Sequence, residues 1–286
     1  MGHEVYGTTV GSQAVPKGVT SITCDVRKLS DVEAAIDKSK PDRVFHLAAQ
    51  SFPTVSWEKP VETFDINVNG TINLFETLKK KKMNPVVLVA CSSAEYGLVK
   101  ENEVPVKEDH ILLPLHPYGV SKAAQDLLSY QYFKNFGLRA IRVRIFNTTG
   151  PAKTNDVCSD FIRQIVKIEK GELPPVLKVG NLEPRRDITD VRDMVDAFWT
   201  ATEKAEIGEV YNLCSMKAYR IRDLLDKMLA LSTIKIKVEV DPAKLRPTDE
   251  PIIMGDNTKF VKKTGWTPKI PVEKTLEDTL DYWRAR

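Results

Sequence analysis

"PVVLVACSSAEYG" (Pro85–Gly97) and, beyond a loop rich in proline and charge, "YGVSK" (Tyr118–Lys122) decide how this chain is read. The first is an unbroken apolar run rich in valine. That pattern belongs to a strand buried on both faces of a parallel sheet. It ends in serines, and open α/β sheets bind ligands beyond the carboxyl ends of their strands. The second opens a helix, on which the i,i+4 spacing puts Tyr118 and Lys122 on one face, one turn apart. A phenol ordinarily titrates near pH 10. A neighbouring ammonium stabilises the phenolate and lowers that value. Tyr118 is therefore expected to exchange a proton with a substrate oxygen near neutral pH, and Ser92 to hydrogen-bond the same oxygen.

Working outward, short apolar runs alternate with helical patterns. The start, "MGHEVYGTTVGSQ", reads as the last residues of a helix, a short strand at His3–Tyr6 and a glycine turn. "VTSITCDV" reads as a strand, and "LSDVEAAIDKSK" as a helix with Ser30 at its N-cap and Glu33 completing a capping box. "DRVFHLAA" is the next strand, and "PVETFDINVNGTINLFETLKKKK" one long helix. "YGVSKAAQDLLSYQYFKNFG" is a helix closed by Gly137, and "RAIRVRIFN" a strand. This β-α-β-α order predicts an α/β fold, a Rossmann-like doubly wound parallel sheet with helices on both faces.

Beyond Gly150 the rhythm changes. A helix is expected with apolar spacing at Val157, Phe161, Ile165 and Ile168, and another capped by Thr189 or Asp190. A strand over "GEVYNLCS", a helix over "RIRDLLDKMLALS", a strand over "IKIKVEV" and a C-terminal helix follow. Residues 1–150 are expected to form a nucleotide-binding domain. Residues 151–286 form a smaller substrate-binding part, some segments of which return to the first.

The 42 basic and 39 acidic residues leave a net charge of +3, too balanced to argue for nucleic acid or a membrane surface. No apolar run has the length of a membrane span. Four widely spaced cysteines and four scattered histidines show no metal pattern. No metal, and a reducing, cytoplasmic setting, are expected.

The motifs together resemble the extended short-chain dehydrogenase/reductase family. They are "DV" (Asp25-Val26), "FHLAAQS" (Phe45–Ser51), "NVNGT" (Asn67–Thr71), "SSAEYG", "YGVSK", "RIFNTTGP" (Arg144–Pro151), "RDITDVRD" (Arg186–Asp193) and "GWTP" (Gly265–Pro268), in family order over nearly the whole chain. "KVGNLEPRRDITDVRD" and "LRPTDEPIIMGD" resemble the GDP-sugar branch, and within it the reductases more than the dehydratases. The resemblance implies Tyr118 as general acid/base, Lys122 on the nicotinamide ribose and Ser92 on the reacting oxygen. It implies Asp25 and Val26 at the adenine, Ala48, Ala49 and Gln50 along an NADP or NAD cofactor, and Asn67 in support. Ser93, Asn147, Arg186, Arg220, Arg246 and Asp249 would hold a GDP-linked nucleotide sugar, with arginine suited to its diphosphate. A homodimer through helices at about residues 60–82 and 118–136 is also implied.

One departure discriminates between activities. A dehydratase carries a glutamate two positions after the catalytic Ser/Thr, and here that position is Ala94. Glu95 is adjacent, but along a strand successive side chains point oppositely. Reduction of a C4 keto group is therefore favoured over dehydration, with epimerisation a further alternative. A second departure concerns cofactor binding. Family members begin with a strand, a glycine-rich turn and a helix that face the cofactor pyrophosphate. Gly2, Gly7 and Gly11 do not have that spacing, so about 20–25 residues are expected to be missing, from ordinary element lengths. The expectations that follow are a truncated active enzyme with impaired cofactor binding, a non-catalytic nucleotide-sugar binder, or a replacement element. Two strand edges would then stay unpaired or close up.

Overall fold

The computed structural model describes residues 2–11, 14–245 and 250–286. Arg246 and Asp249 lie outside the described residues. The chain divides into two compact units: Met1–Glu95 with His116–Val143 and Glu206–Val210, and Tyr96–Leu115 with Arg144–Ala205 and Tyr211–Arg286. The division at residue 150 drawn from the sequence is thus replaced by an interleaved one. Residues 96–115 leave the first unit, and 206–210 return to it.

The first unit contains β1 (Tyr6–Thr9), β2 (Thr20–Thr23), α1 (Leu29–Ser39), β3 (Arg43–His46), α2 (Pro53–Glu58), α3 (Pro60–Phe64), α4 (Gly70–Lys80), β4 (Val86–Ser92) and α5 (Pro117–Phe136). β5 (Ala140–Ile145) begins in it. Every residue of β4 is buried, as its unbroken apolar run requires. β1 pairs with β2, and β3 with β4, both parallel. One apolar cluster joins both pairs: Ile22 and Cys24, Val32 and Ile36 of α1, Leu74, Phe75 and Leu78 of α4, and Val87 and Val89 of β4. Among the described residues the strand order is β1-β2 in one sheet and β3-β4-β5 with β9 (Val210–Leu213) in another. Among the described residues, β1 and β3 each pair with a strand on one side only.

Three expectations are corrected here. The first strand is Tyr6–Thr9, not His3–Tyr6, because its register follows β2 from Tyr6↔Thr20 to Thr9↔Thr23. Among the described residues no helix comes before it, and Gly7 lies within it. Ser30 does not cap α1. The helix starts two residues earlier, at Leu29 after Lys28, with no side-chain cap, and the Asp31 carboxylate accepts the Asp25 amide at 3.1 Å. The long helix after Pro60 is interrupted by a π-helical turn, Asp65–Asn69, between α3 and α4. α5 ends as expected, with Gly137 left-handed and its amide on the Phe133 carbonyl.

The second unit continues β5 and β9 and holds β6 (Asn147–Thr149), α6 (Val157–Glu169), β7 (Val176–Val179), β8 (Arg185–Asp190), α7 (Val191–Lys204), β10 (Ala218–Arg220), α8 (Ile221–Ala230), β11 (Lys237–Val240), β12 (Ile252–Ile253), α9 (Thr258–Thr264) and α10 (Val272–Arg284). β8 pairs with β6, β10 and β12, and β7 with β11. Phe161, Ile165 and Ile168 of α6 pack with Leu224, Leu225 and Met228 of α8 and with Leu276 and Leu280 of α10. Asp156 and Asp190 cap α6 and α7 with their carboxylates. The segment after Tyr96 is held by a buried polar cluster: the Tyr96 hydroxyl donates to Asn212 Oδ1 at 2.7 Å, and Arg144 donates to the Tyr96 oxygen at 3.0 Å. Gly97, at φ +68°, lies so close to the Leu113 carbonyl that a Cβ would overlap it, so only glycine fits.

Candidate active site

β4 ends at Ser92, and the chain at once tightens into a 3-10 turn, Ser93–Glu95. The turn closes on the strand end from two sides. The Ser92 hydroxyl accepts the Ala94 amide at 3.2 Å, and the Ser92 amide donates to Glu95 Oε1 at 2.7 Å. Glu95 is fully buried, while Ser93 and Ala94 are partly exposed. The alternation expected for Glu95 is therefore overturned: the segment is a turn, not a strand, and its carboxylate folds back onto Ser92.

α5 delivers the other half of the site. Pro117 occupies its first turn, and His116 caps it, Nδ1 accepting the Gly119 amide at 3.0 Å. The His116 ring stacks on Tyr118 at 5.8 Å. The Tyr118 phenol is hydrogen-bonded by the Ser92 side chain. Lys122 is buried one turn on, and its ammonium is held by two other acceptors. It donates to the Ala90 carbonyl at 2.7 Å and to Gln125 Oε1 at 2.8 Å, and lies 5.9 Å from the Tyr118 ring centre.

The electrostatics follow from that placement. Burial pushes the Tyr118 phenol up to about 12, the Ser92 hydrogen bond pulls against it, and the nearby Glu95 and Cys91 push further up. The expected lowering by Lys122 is thus reversed, because desolvation of a phenolate outweighs a cation that is engaged elsewhere. Burial also lowers the Lys122 ammonium, with Cys91 and Glu95 holding it up. His46, at the end of β3, is pushed down to about 3 by burial and then by Lys122, so it is neutral. Its Nε2 lies 2.9 Å from the Thr71 hydroxyl, which donates to the Asn67 carbonyl.

The π-helical turn places Asn67, fully buried, against two segments at once. Its amide donates to the Ser121 hydroxyl at 2.9 Å and to the Gln50 carbonyl at 3.1 Å, and its oxygen accepts the Gln50 amide at 2.8 Å. The residue thus ties the loop after β3 to the helix that carries Tyr118. Gln50 is further held by Thr63. Ala48 and Ala49, in the same loop, are partly exposed. At the end of β2, Asp25 forms a 2.6 Å ion pair with Arg27, which holds its carboxyl below the usual range. Val26 packs on Gly70, where a Cβ would sit 2.7 Å from its Cγ2, and its carbonyl accepts Asn73. Val26 thus sets the approach of α4 to the strand end.

In the second unit, Asn147 opens β6 opposite Ile188, and its buried amide nitrogen has no hydrogen-bond partner among the described residues. Arg186 donates to the Glu250 carbonyl at 2.7 Å and pairs with its carboxylate at 3.4 Å. Arg220 is exposed and paired with Asp223 and Glu183. The residues the sequence reading missed are Gln125, His116 and Asp126, which forms a buried 2.6 Å ion pair with Arg142. Gln125 stands three positions after Lys122, a spacing from which its contact was legible. No metal pattern was visible in the sequence, yet the liganding atoms of Cys91, Glu95 and Asp126 converge within 4.8 Å. Arg142 supplies the positive charge on Asp126 there.

A family model described as GDP-mannose 4,6 dehydratase matches residues 8–279. The chain belongs to the GDP-mannose 4,6-dehydratase family. This places it among the extended short-chain dehydrogenase/reductases, a family of NAD(P)-dependent sugar-nucleotide enzymes. It is 33% identical over 247 residues to the GDP-6-deoxy-D-mannose reductase of Pseudomonas aeruginosa, covering 86% of this chain and 81% of that one. It is 27% identical to the GDP-mannose 4,6-dehydratase of Vibrio cholerae, covering 90% and 76%. Among solved structures, RMD from Pseudomonas aeruginosa complexed with NADPH superposes with a TM-score of 0.88 at 29% identity, covering 96% and 92%. The UDP-glucose 4-epimerase of Thermus thermophilus, complexed with NAD, gives 0.84 at 28%, covering 94% and 86%. This family member carries no helix, among the described residues, long and apolar enough to cross a membrane.

Proposed function

We propose that the chain reduces the C4 keto group of a GDP-linked 4-keto-6-deoxy sugar, with NADPH or NADH as reductant. The observation that carries the reading is the Ser92–Tyr118 hydrogen bond at the carboxyl end of β4. It sets a proton donor and a second hydroxyl at one point, where a single carbonyl oxygen can meet both. When bound there, NADPH or NADH would supply the hydride that the carbonyl carbon takes up. Tyr118, held protonated by burial, gives its proton to the oxygen, and Ser92 steadies that oxygen as charge develops. Lys122 is the group to contact the nicotinamide ribose, Ala48, Ala49 and Gln50 to line the cofactor, and Asp25 to face the adenine. The phenol and ammonium on α5 and the hydroxyl at the end of β4 suit the nicotinamide half. For the pyrophosphate, no glycine-rich strand–turn–helix is found among the described residues. On the sugar-nucleotide side, Asn147, with its unpartnered amide, Ser93, Arg186 and Arg220 are the binding groups.

Reduction is preferred to dehydration because Ala94 has no proton to transfer and Glu95 is turned away into the interior. Incubation with a GDP-4-keto-6-deoxy sugar and NADPH, followed by absorbance at the nicotinamide band, tests this. Consumption of NADPH with formation of the GDP-6-deoxy sugar is expected. Separate calorimetric titrations with NADPH and GDP-mannose distinguish the second reading, favoured by the divided sheet: heat from the sugar nucleotide alone identifies a non-catalytic binder.

The assembly we propose is a homodimer through α2 to α5. Trp57, Val61, Val120 and Leu127 are exposed on this unit, Val61 by 82%, which is an apolar surface of the kind that marks association.

A further inference from the structure

The carboxylate of Glu95 has no part in the chemistry proposed above, yet it is fully buried within one turn of the site. Burying a charge is costly unless it is engaged, and this one accepts the Ser92 amide at 2.7 Å. That contact closes the 3-10 turn. The same turn brings the Ala94 amide to the Ser92 hydroxyl, leaving the hydroxyl's own hydrogen directed elsewhere. We infer that Glu95 is a positioning residue: by clamping the Ser92 amide it fixes the hydroxyl that meets the Tyr118 phenol.

The charge has a second consequence. Glu95 is one of the groups that hold both Tyr118 and Lys122 in their protonated forms. The other ionisable groups around it are Cys91 on β4 and Asp126 on α5 with its partner Arg142 on β5; beyond Lys122 lies His46, which is neutral. Glu95 thus favours a Tyr118 that carries its proton until a substrate oxygen arrives.

The inference rests on the reductase reading only for its kinetic arm. Glu95→Gln keeps an acceptor oxygen for the Ser92 amide and removes the charge. Glu95→Met removes both. In the reductase assay, Glu95→Met is expected to lose about 10- to 100-fold in kcat, the scale of a small misplacement of a reacting group, with little change in KM. Glu95→Gln should recover most of that loss. The second arm needs no turnover: the tyrosine ring-carbon resonances of 13C-labelled protein are followed against pH, with Tyr118 assigned by its absence in Tyr118→Phe. In Glu95→Gln the Tyr118 phenolate should appear at lower pH than in the parent. Parent kcat in Glu95→Met, or an unmoved Tyr118 titration in Glu95→Gln, overturns the inference. If no form of the chain turns over, the reductase reading fails and the titration still decides the role of Glu95. If Glu95→Met does not fold, the Tyr118 titration in Glu95→Gln decides the inference.

Discussion

The ammonium of Lys122 is tied to the carbonyl of Ala90, 2.7 Å away, on the strand that ends in Ser92. The helix that presents Tyr118 is therefore fastened directly to the strand that presents its hydrogen-bond partner. The geometry of the pair is set by that link, by the Asn67 brace and by the turn that Glu95 closes on Ser92.

Tyr118→Phe keeps the ring and its stacking on His116 but removes the proton donor. We expect kcat to fall by about 10²- to 10⁴-fold, the usual worth of a positioned acid, with KM nearly unchanged. Turnover at the parent rate would remove Tyr118 from the chemistry.

The pH dependence of stability should carry the mark of Asp187. Its carboxyl is raised from 3.8 to about 6, chiefly by burial and against hydrogen bonds from Ser215 and neighbouring amides. The folded state holds the proton more tightly than the unfolded one. The stability this gives is fully present below about pH 4 and is lost as pH rises through about 6, amounting to about 3 kcal/mol from the shift. Urea denaturation of parent and Asp187→Asn at pH 4 and at pH 7.5 checks this. The stability of Asp187→Asn relative to the parent should increase between the two. A constant difference would contradict the assignment.

Gly97→Ala places a methyl into the Leu113 carbonyl at a left-handed φ. A loss of about 3 kcal/mol or more is expected from overlap plus backbone strain. Thermal unfolding measures it, and a loss below about 1 kcal/mol would mean that the loop relaxes freely.

Val61 and Leu127, exposed by 82% and 60%, sit on the face proposed to pair. Val61→Asp with Leu127→Asp should convert a dimer to a monomer in sedimentation velocity. At such exposed sites the secondary structure should be unaffected. A parent that sediments as a monomer would refute the homodimer.

Periodicity and end signals in the sequence by themselves determined much of the local structure. The unbroken valine run could only be a strand buried on both faces, and it is. The spacing of Tyr118 and Lys122 put both on α5, Asp190 capped α7, and Gly137 ended its helix, because each depends on neighbours within a turn or so. Tertiary structure decided the rest. The π-helical turn that swings Asn67 onto Ser121 and Gln50 leaves no periodic trace, since it shifts the helix by a single residue. Glu95 was misread because side-chain alternation holds only while the chain stays extended, and a 3-10 turn reverses it. The sign of the Tyr118 shift also escaped, because spacing shows a nearby lysine but not how much water burial removes or that an Ala90 carbonyl holds the cation. Ranges of one or two turns were legible, whereas contacts closed by distant segments, and the desolvation they cause, existed only once the chain had folded.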